Sequence, residues 1–86
     1  MIKTAKFKSL DNKVINRLDL DEMIMNIIVE NKAMSIKQVA DKLQMQYKDI
    51  KMCMLTMVDN YLLEKIRCND LLKYRKINHS MLAELL

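Results

Sequence analysis

The 86 residues are 51% hydrophobic and 30% charged, with a net charge of +4; this length and balance predict a single domain with one modest core and exclude a disordered tail. Glycine and proline are both absent, which excludes phosphate-cradling loops, dinucleotide fingerprints, collagen-like repeats and polyproline linkers. Most cofactor enzymes are excluded with them, and no cofactor is expected. The longest apolar run, residues 24–29, is broken by Asn26 and falls far short of the roughly 20 residues of a membrane span. The lysines of residues 1–8 are not followed by the apolar stretch of a secretory signal, so a cytoplasmic address is expected, with no membrane partner. Cys53 and Cys68 are read as packing thiols in a reducing compartment, because with one histidine in the chain they cannot complete a four-ligand zinc site.

Charge is unevenly distributed. Residues 1–18 carry Lys3, Lys6, Lys8, Lys13 and Arg17 against Asp11. Residues 19–32 reverse the sign through Asp19, Asp21, Glu22 and Glu30, and Lys65, Arg67, Lys73, Arg75 and Lys76 turn the C-terminal part basic again. Two basic ends suit either a solvated surface or contact with a polyanion.

In chain order, residues 1–18 form a basic arm or a short helix. Ser9 can cap a helix over residues 10–18 with Val14 and Leu18 facing inward, although the first eight residues suit a strand or a loose arm equally. Asp19 and Glu22 have capping-box spacing, and Leu20, Met23, Ile24, Ile27 and Ile28 make an apolar stripe that predicts a helix ending near Asn31. Ser35 and Gln38 repeat the capping box, and Ile36, Val39, Ala40 and Leu43 predict a second, shorter helix. A three-residue turn, Gln44 to Gln46, leads to a third helix from Tyr47 to about residue 60, with Ile50, Met54, Met57, Val58 and Tyr61 on one side. Its other face shows Tyr47, Lys48, Lys51, Met52, Leu55 and Asp59. The pattern then changes to strand alternation over residues 63–68 and 71–77, flanking Asn69 and Asp70 as a two-residue hairpin turn. Residues 79–86, with Met81, Leu82, Leu85 and Leu86, read as a short apolar helix outside the 19–78 core.

Helix, helix, three-residue turn, longer helix and hairpin resembles a winged helix-turn-helix, a mainly α fold with a small β-hairpin. The stretch Val39-Ala40-Asp41-Lys42-Leu43, then Met45, then Ile50, Met54 and Met57, then Leu62-Leu63-Glu64-Lys65-Ile66, is similar to the winged-helix domains of small bacterial and phage transcription regulators. The resemblance covers residues 20–77. It implies that Ala40 lies where two helices touch, that Met45 plugs the turn, and that Ile50 and Met54 pack back on the first two helices. The chain departs from the family pattern at two positions where glycine is frequent, Gln44 in the turn and Tyr61 before the hairpin. Glycine supplies positive φ at such places, so a modified turn or a longer helix end is expected.

The resemblance further implies a double-stranded DNA partner, with the third helix entering the major groove. Gln46, Tyr47, Lys48 and Lys51 would then meet base edges, lysine suiting guanine and glutamine suiting adenine. Lys37 and Gln38 would sit near phosphates, and Arg67, Asn69, Lys73 and Arg75 would populate the wing, where arginine suits a narrow minor groove. Against this, Tyr47 can simply cap the turn, and Lys48 and Lys51 can be ordinary solvated lysines. Met52 and Leu55 on the same face suit a protein partner, a thymine methyl or burial under the N-terminal segment. The alternative function is therefore a non-catalytic protein-interaction module or phage-type inhibitor on the same fold. No catalytic residues are expected, since His79 has no partner at diagnostic spacing. A homodimer through the C-terminal helix or the N-terminal segment would match the symmetry of DNA sites.

Overall fold

The computed structural model describes residues 6–77. The elements are β1 (Lys6–Lys8), β2 (Val14–Asn16), α1 (Arg17–Asn31), α2 (Ile36–Leu43), α3 (Tyr47–Asp59), β3 (Leu63–Cys68) and β4 (Leu71–Lys76), giving three helices and two small antiparallel sheets. Residues 79–86, with the expected apolar helix and His79, lie outside the described residues.

The helix expected over residues 10–18 does not form. Residues 6–16 are instead a hairpin in which Phe7 pairs with Ile15 and Lys8 with Val14. β-Branched Val14 and Ile15 suit the strand, and Phe7 is buried in the main core. Ser9 is used as a local cap, but of a loop: its N–H donates to the Lys13 carbonyl at 2.9 Å and its Oγ accepts from the Lys13 N–H at 3.0 Å. Its hydroxyl also donates to Asp11. Asn12, at φ 67°, completes the reversal, a conformation asparagine tolerates better than most residues. Val14 and Leu18, expected inside, are both exposed.

α1 consequently begins three residues before the expected boundary. Asn16, the last residue of β2, is the N-cap: its side chain accepts from the Asp19 N–H at 2.9 Å and donates to the Asp19 carboxylate at 3.0 Å. Asp19 is thus the partner of the cap and not the cap itself. The stripe survives this shift, because Leu20, Ile24 and Ile28 are completely buried while Met23 and Ile27 are half-buried. α2 matches its expected signals, with Ser35 and Gln38 forming a reciprocal capping box and Ile36, Val39 and Ala40 buried. α3 buries Ile50, Cys53, Met54 and Met57. Each fully buried aliphatic side chain of this kind contributes about 1.5–3 kcal/mol. Tyr61, expected on that inner side, is instead 72% exposed.

At Gln44 and Tyr61 the chain takes the left-handed conformation that glycine favours, so the modified turn or longer helix end expected there does not form. At the end of α2, Gln44 has φ 56°, its N–H reaches the Asp41 carbonyl at 3.4 Å, and the Met45 N–H reaches the Ala40 carbonyl at 3.0 Å. At the end of α3, Tyr61 has φ 61°, its N–H reaches Val58 at 3.1 Å, and the Leu62 N–H reaches Met57 at 2.9 Å. This is the same pair of helix-closing bonds twice, the Schellman pattern. Tyr61 points outward because the chain reverses there.

β3 and β4 are joined by Asn69 and Asp70, at φ 49° and 66°, the two positive values a type I′ hairpin turn requires. Met34, just before α2, bridges β4 by two bonds to Tyr74, of 3.0 and 2.8 Å. That bridge ties the α1–α2 connection to the hairpin and holds the hairpin beside the helices.

Candidate nucleic-acid interface

α2, the turn and α3 share an apolar interior: Val39, Ala40, Met45 and Ile50 are all buried in one cluster. Packing of that interior leaves Gln46, Tyr47, Lys48, Lys51 and Met52 exposed along the first turns of α3. Lys48, Lys51, Met52 and Leu55 follow i, i+3, i+4, i+7 spacing and so share one face. Of the two apolar residues weighed for this face, Leu55 is half-buried against the core, whereas Met52 remains 47% exposed. The outer end of the face is therefore sealed by packing, and its accessible part is confined to the first two turns.

Pairing in the β3–β4 hairpin sorts its basic residues onto two faces. Leu63, Lys65, Arg67, Leu72 and Tyr74 alternate onto one face by register. Leu72 and Tyr74 there line an open groove of about 270 Å³ with Ser35, Ile36, Lys37, Leu71 and Tyr47. Arg67, the partner of Leu72, thus stands on the side that looks toward the start of α2 and α3. Burial, with the Tyr47 phenol nearby, pushes the Tyr74 hydroxyl up from its ordinary value. Asn69 is at the exposed tip beside Asp70, whose carboxylate works against an approaching anion.

Three of the residues expected at the interface are placed differently. Lys73 lies on the opposite hairpin face and lines a second groove with Asn31, Ala33, Met34, Gln38, Asp41 and Lys42. Arg75 is opposite Glu64 in the strand register and forms an ion pair with it. The Gln38 side-chain Oε1 accepts from the Ser35 N–H at 2.9 Å, so the side chain is held as part of a helix cap although the residue is exposed. Lys37, one residue earlier, is exposed and lines the groove that contains Tyr47.

Residues that the sequence did not single out also reach this region. Leu71 and Leu72 are exposed beside Tyr47, which makes the groove largely apolar with Lys37 in its lining. Their alternation within a strand was visible, but which way the strand faced was not. The β1–β2 hairpin also arrives here: the Leu10 N–H donates to the Gln44 carbonyl at 2.7 Å, and Ser9 bridges Met45. Among the described residues, no helix is long and apolar enough to cross a membrane. In comparisons with known proteins, no family model matches the chain and no curated protein matches it either.

Proposed function

We propose that the chain is a sequence-specific double-stranded DNA-binding transcription regulator on a winged helix-turn-helix fold. The observation that carries this reading is the α2–turn–α3 unit, whose buried side packs as one core while Gln46, Tyr47, Lys48 and Lys51 stand exposed on the opening turns of α3. The bridge of Met34 to Tyr74 adds support, because it brings a basic hairpin beside that helix. The mechanism is occupancy. Lys37 and Arg67 neutralise phosphates, which gives affinity without sequence information. Gln46, Lys48 and Lys51 select bases in the major groove.

Fluorescence anisotropy of a labelled AT-rich duplex, titrated at several salt concentrations, tests this. The expected result is saturable binding whose logarithm falls linearly with log salt. Arg67→Ala reduces that slope by about 0.9, one phosphate contact, whereas Lys51→Ala shifts base preference by about 1–3 kcal/mol. Absence of binding at low salt refutes the assignment. The alternative, a protein-interaction module, draws on the apolar character of Tyr47, Leu71, Leu72 and Met52 in the same region. Met52→Ala discriminates it, since it truncates an apolar side chain at an exposed position without adding a charge that would itself repel DNA. Leu55→Asp is not a clean test, because Leu55 packs against the core.

A further inference from the structure

We propose that the β1–β2 hairpin is a second phosphate-binding element, in which Lys6 and Lys8 grip the DNA backbone beside the start of α3; this rests on the DNA-binding reading above. The inference stands on how the hairpin is anchored. Ser9 bridges Met45 in antiparallel sense, flanked by the 2.7 Å bond from the Leu10 N–H to the Gln44 carbonyl. In an antiparallel register the residue before Ser9 lies opposite the residue after Met45. Lys8 is therefore opposite Gln46, the N-cap residue of α3.

The direction of the lysine side chains follows from strand alternation. Phe7 is buried in the core, so Lys6 and Lys8 on either side of it point away from the core, and both are exposed. Their strand partners, Asn16 and Val14, carry no charge. Among the described residues the ion pairs involve Lys13, Arg17 and Arg75, and neither Lys6 nor Lys8. Lys13 is different, since Asp11 lies 3.8 Å from it and offsets its charge.

The burial of Phe7 and the bond from the Leu10 N–H to the Gln44 carbonyl hold the hairpin against the same turn that orients α3. Two hairpins thus converge on the opening of α3: β3–β4 at Tyr47, through Leu72, and β1–β2 at Gln46, through Lys8. A duplex seated on α3 presents a phosphate strand along each margin of the groove it occupies. Charge that has no carboxylate partner among the described residues, held on a strand at that margin, is suited to such a strand.

The test is the salt dependence of duplex binding for the full chain and for Lys6→Gln with Lys8→Gln. The double variant is expected to lose about 1.8 from the slope of log affinity against log salt, two contacts at about 0.9 each, with base preference unchanged. Lys42→Gln with Lys73→Gln removes the same net charge from the groove lined by Asp41 and is expected to leave the slope in place. An unchanged slope in the Lys6 and Lys8 variant, with the parent protein binding normally, overturns this inference and leaves the DNA-binding assignment standing. An equal drop in both variants also overturns it, because net charge alone would then account for the effect. A parent protein that does not bind at low salt refutes the DNA-binding assignment itself. None of the four lysines belongs to the apolar core, Lys73 being half-buried and the others exposed, and circular dichroism verifies that each variant remains folded.

Discussion

Tyr61 closes α3 in the left-handed region at φ 61°, where a side chain clashes with its own backbone and costs about 1–2 kcal/mol. Its ring is 72% exposed, so removing the ring gives up little burial. The closing bonds to Val58 and Met57 use backbone N–H groups and survive any substitution that permits the conformation. Tyr61→Gly therefore relieves the clash, offset by the roughly 0.5–1 kcal/mol of extra chain entropy that glycine loses on folding. The net expectation is a gain of about 0.5–1 kcal/mol. In a domain of this size that raises Tm by about 2–8 °C, read by thermal melting at 222 nm and confirmed by the urea midpoint at constant m. Tyr61→Ala is the control: it removes the ring, retains the Cβ clash, and is expected to be near neutral. Equal melting of the glycine and alanine variants, or a lower Tm for glycine, would refute the account of strain at this position.

The two thiols are expected to separate in a labelling experiment. Burial, opposed by the Arg17 charge and reinforced by Asp21 and Asp49, pushes the Cys53 thiol up to about 11, and that side chain is completely buried. A thiol-specific reagent at neutral pH should modify half-buried Cys68 in the native protein and reach Cys53 only on unfolding; rapid modification of both would contradict the burial of Cys53. Asp21 gives a pH signature: burial raises its carboxyl above the ordinary value in spite of Arg17 at 3.6 Å. An acid whose folded pKa lies above its unfolded one binds protons more tightly when folded, so it subtracts stability as pH rises through that interval. The stability of Asp21→Asn relative to the parent should improve from acid toward neutral pH in urea titrations. The opposite trend would show that the Arg17 pair outweighs the burial.

Much of the helical framework was legible because its signals are local. The capping box of Ser35 and Gln38, the stripe of Ile36, Val39, Ala40 and Leu43, and the change to strand alternation after Tyr61 all lie within a few residues of the structure they specify. Asn69 and Asp70 marked the hairpin turn in the same way, by tolerating positive φ. For the site, local pattern was sufficient to put Tyr47, Lys48 and Lys51 on the outside of α3, since the positions facing inward are set by helical period.

The N-terminal region shows where local pattern is ambiguous. Ser9 suits a helix cap and a hairpin loop alike, and Asn16 with Asp19 has the same spacing as Asp19 with Glu22. The choice is made at long range: Phe7 buries its ring in the core, and the bridge of Ser9 to Met45 draws the chain into a strand. The roles of Lys73, Arg75 and Leu55 were decided in the same manner. A side chain's type and period state that it is charged or apolar, but Glu64 opposite Arg75, Asp41 in the groove with Lys73, and the core beneath Leu55 come from distant parts of the chain. Sequence alone determined α2, α3, the turn between them and the β3–β4 hairpin, because capping, periodicity and turn preference act over a few residues. Tertiary structure alone decided which basic side chains remain uncommitted at the opening of α3, because strand register and packing bring together residues that have no relation along the chain.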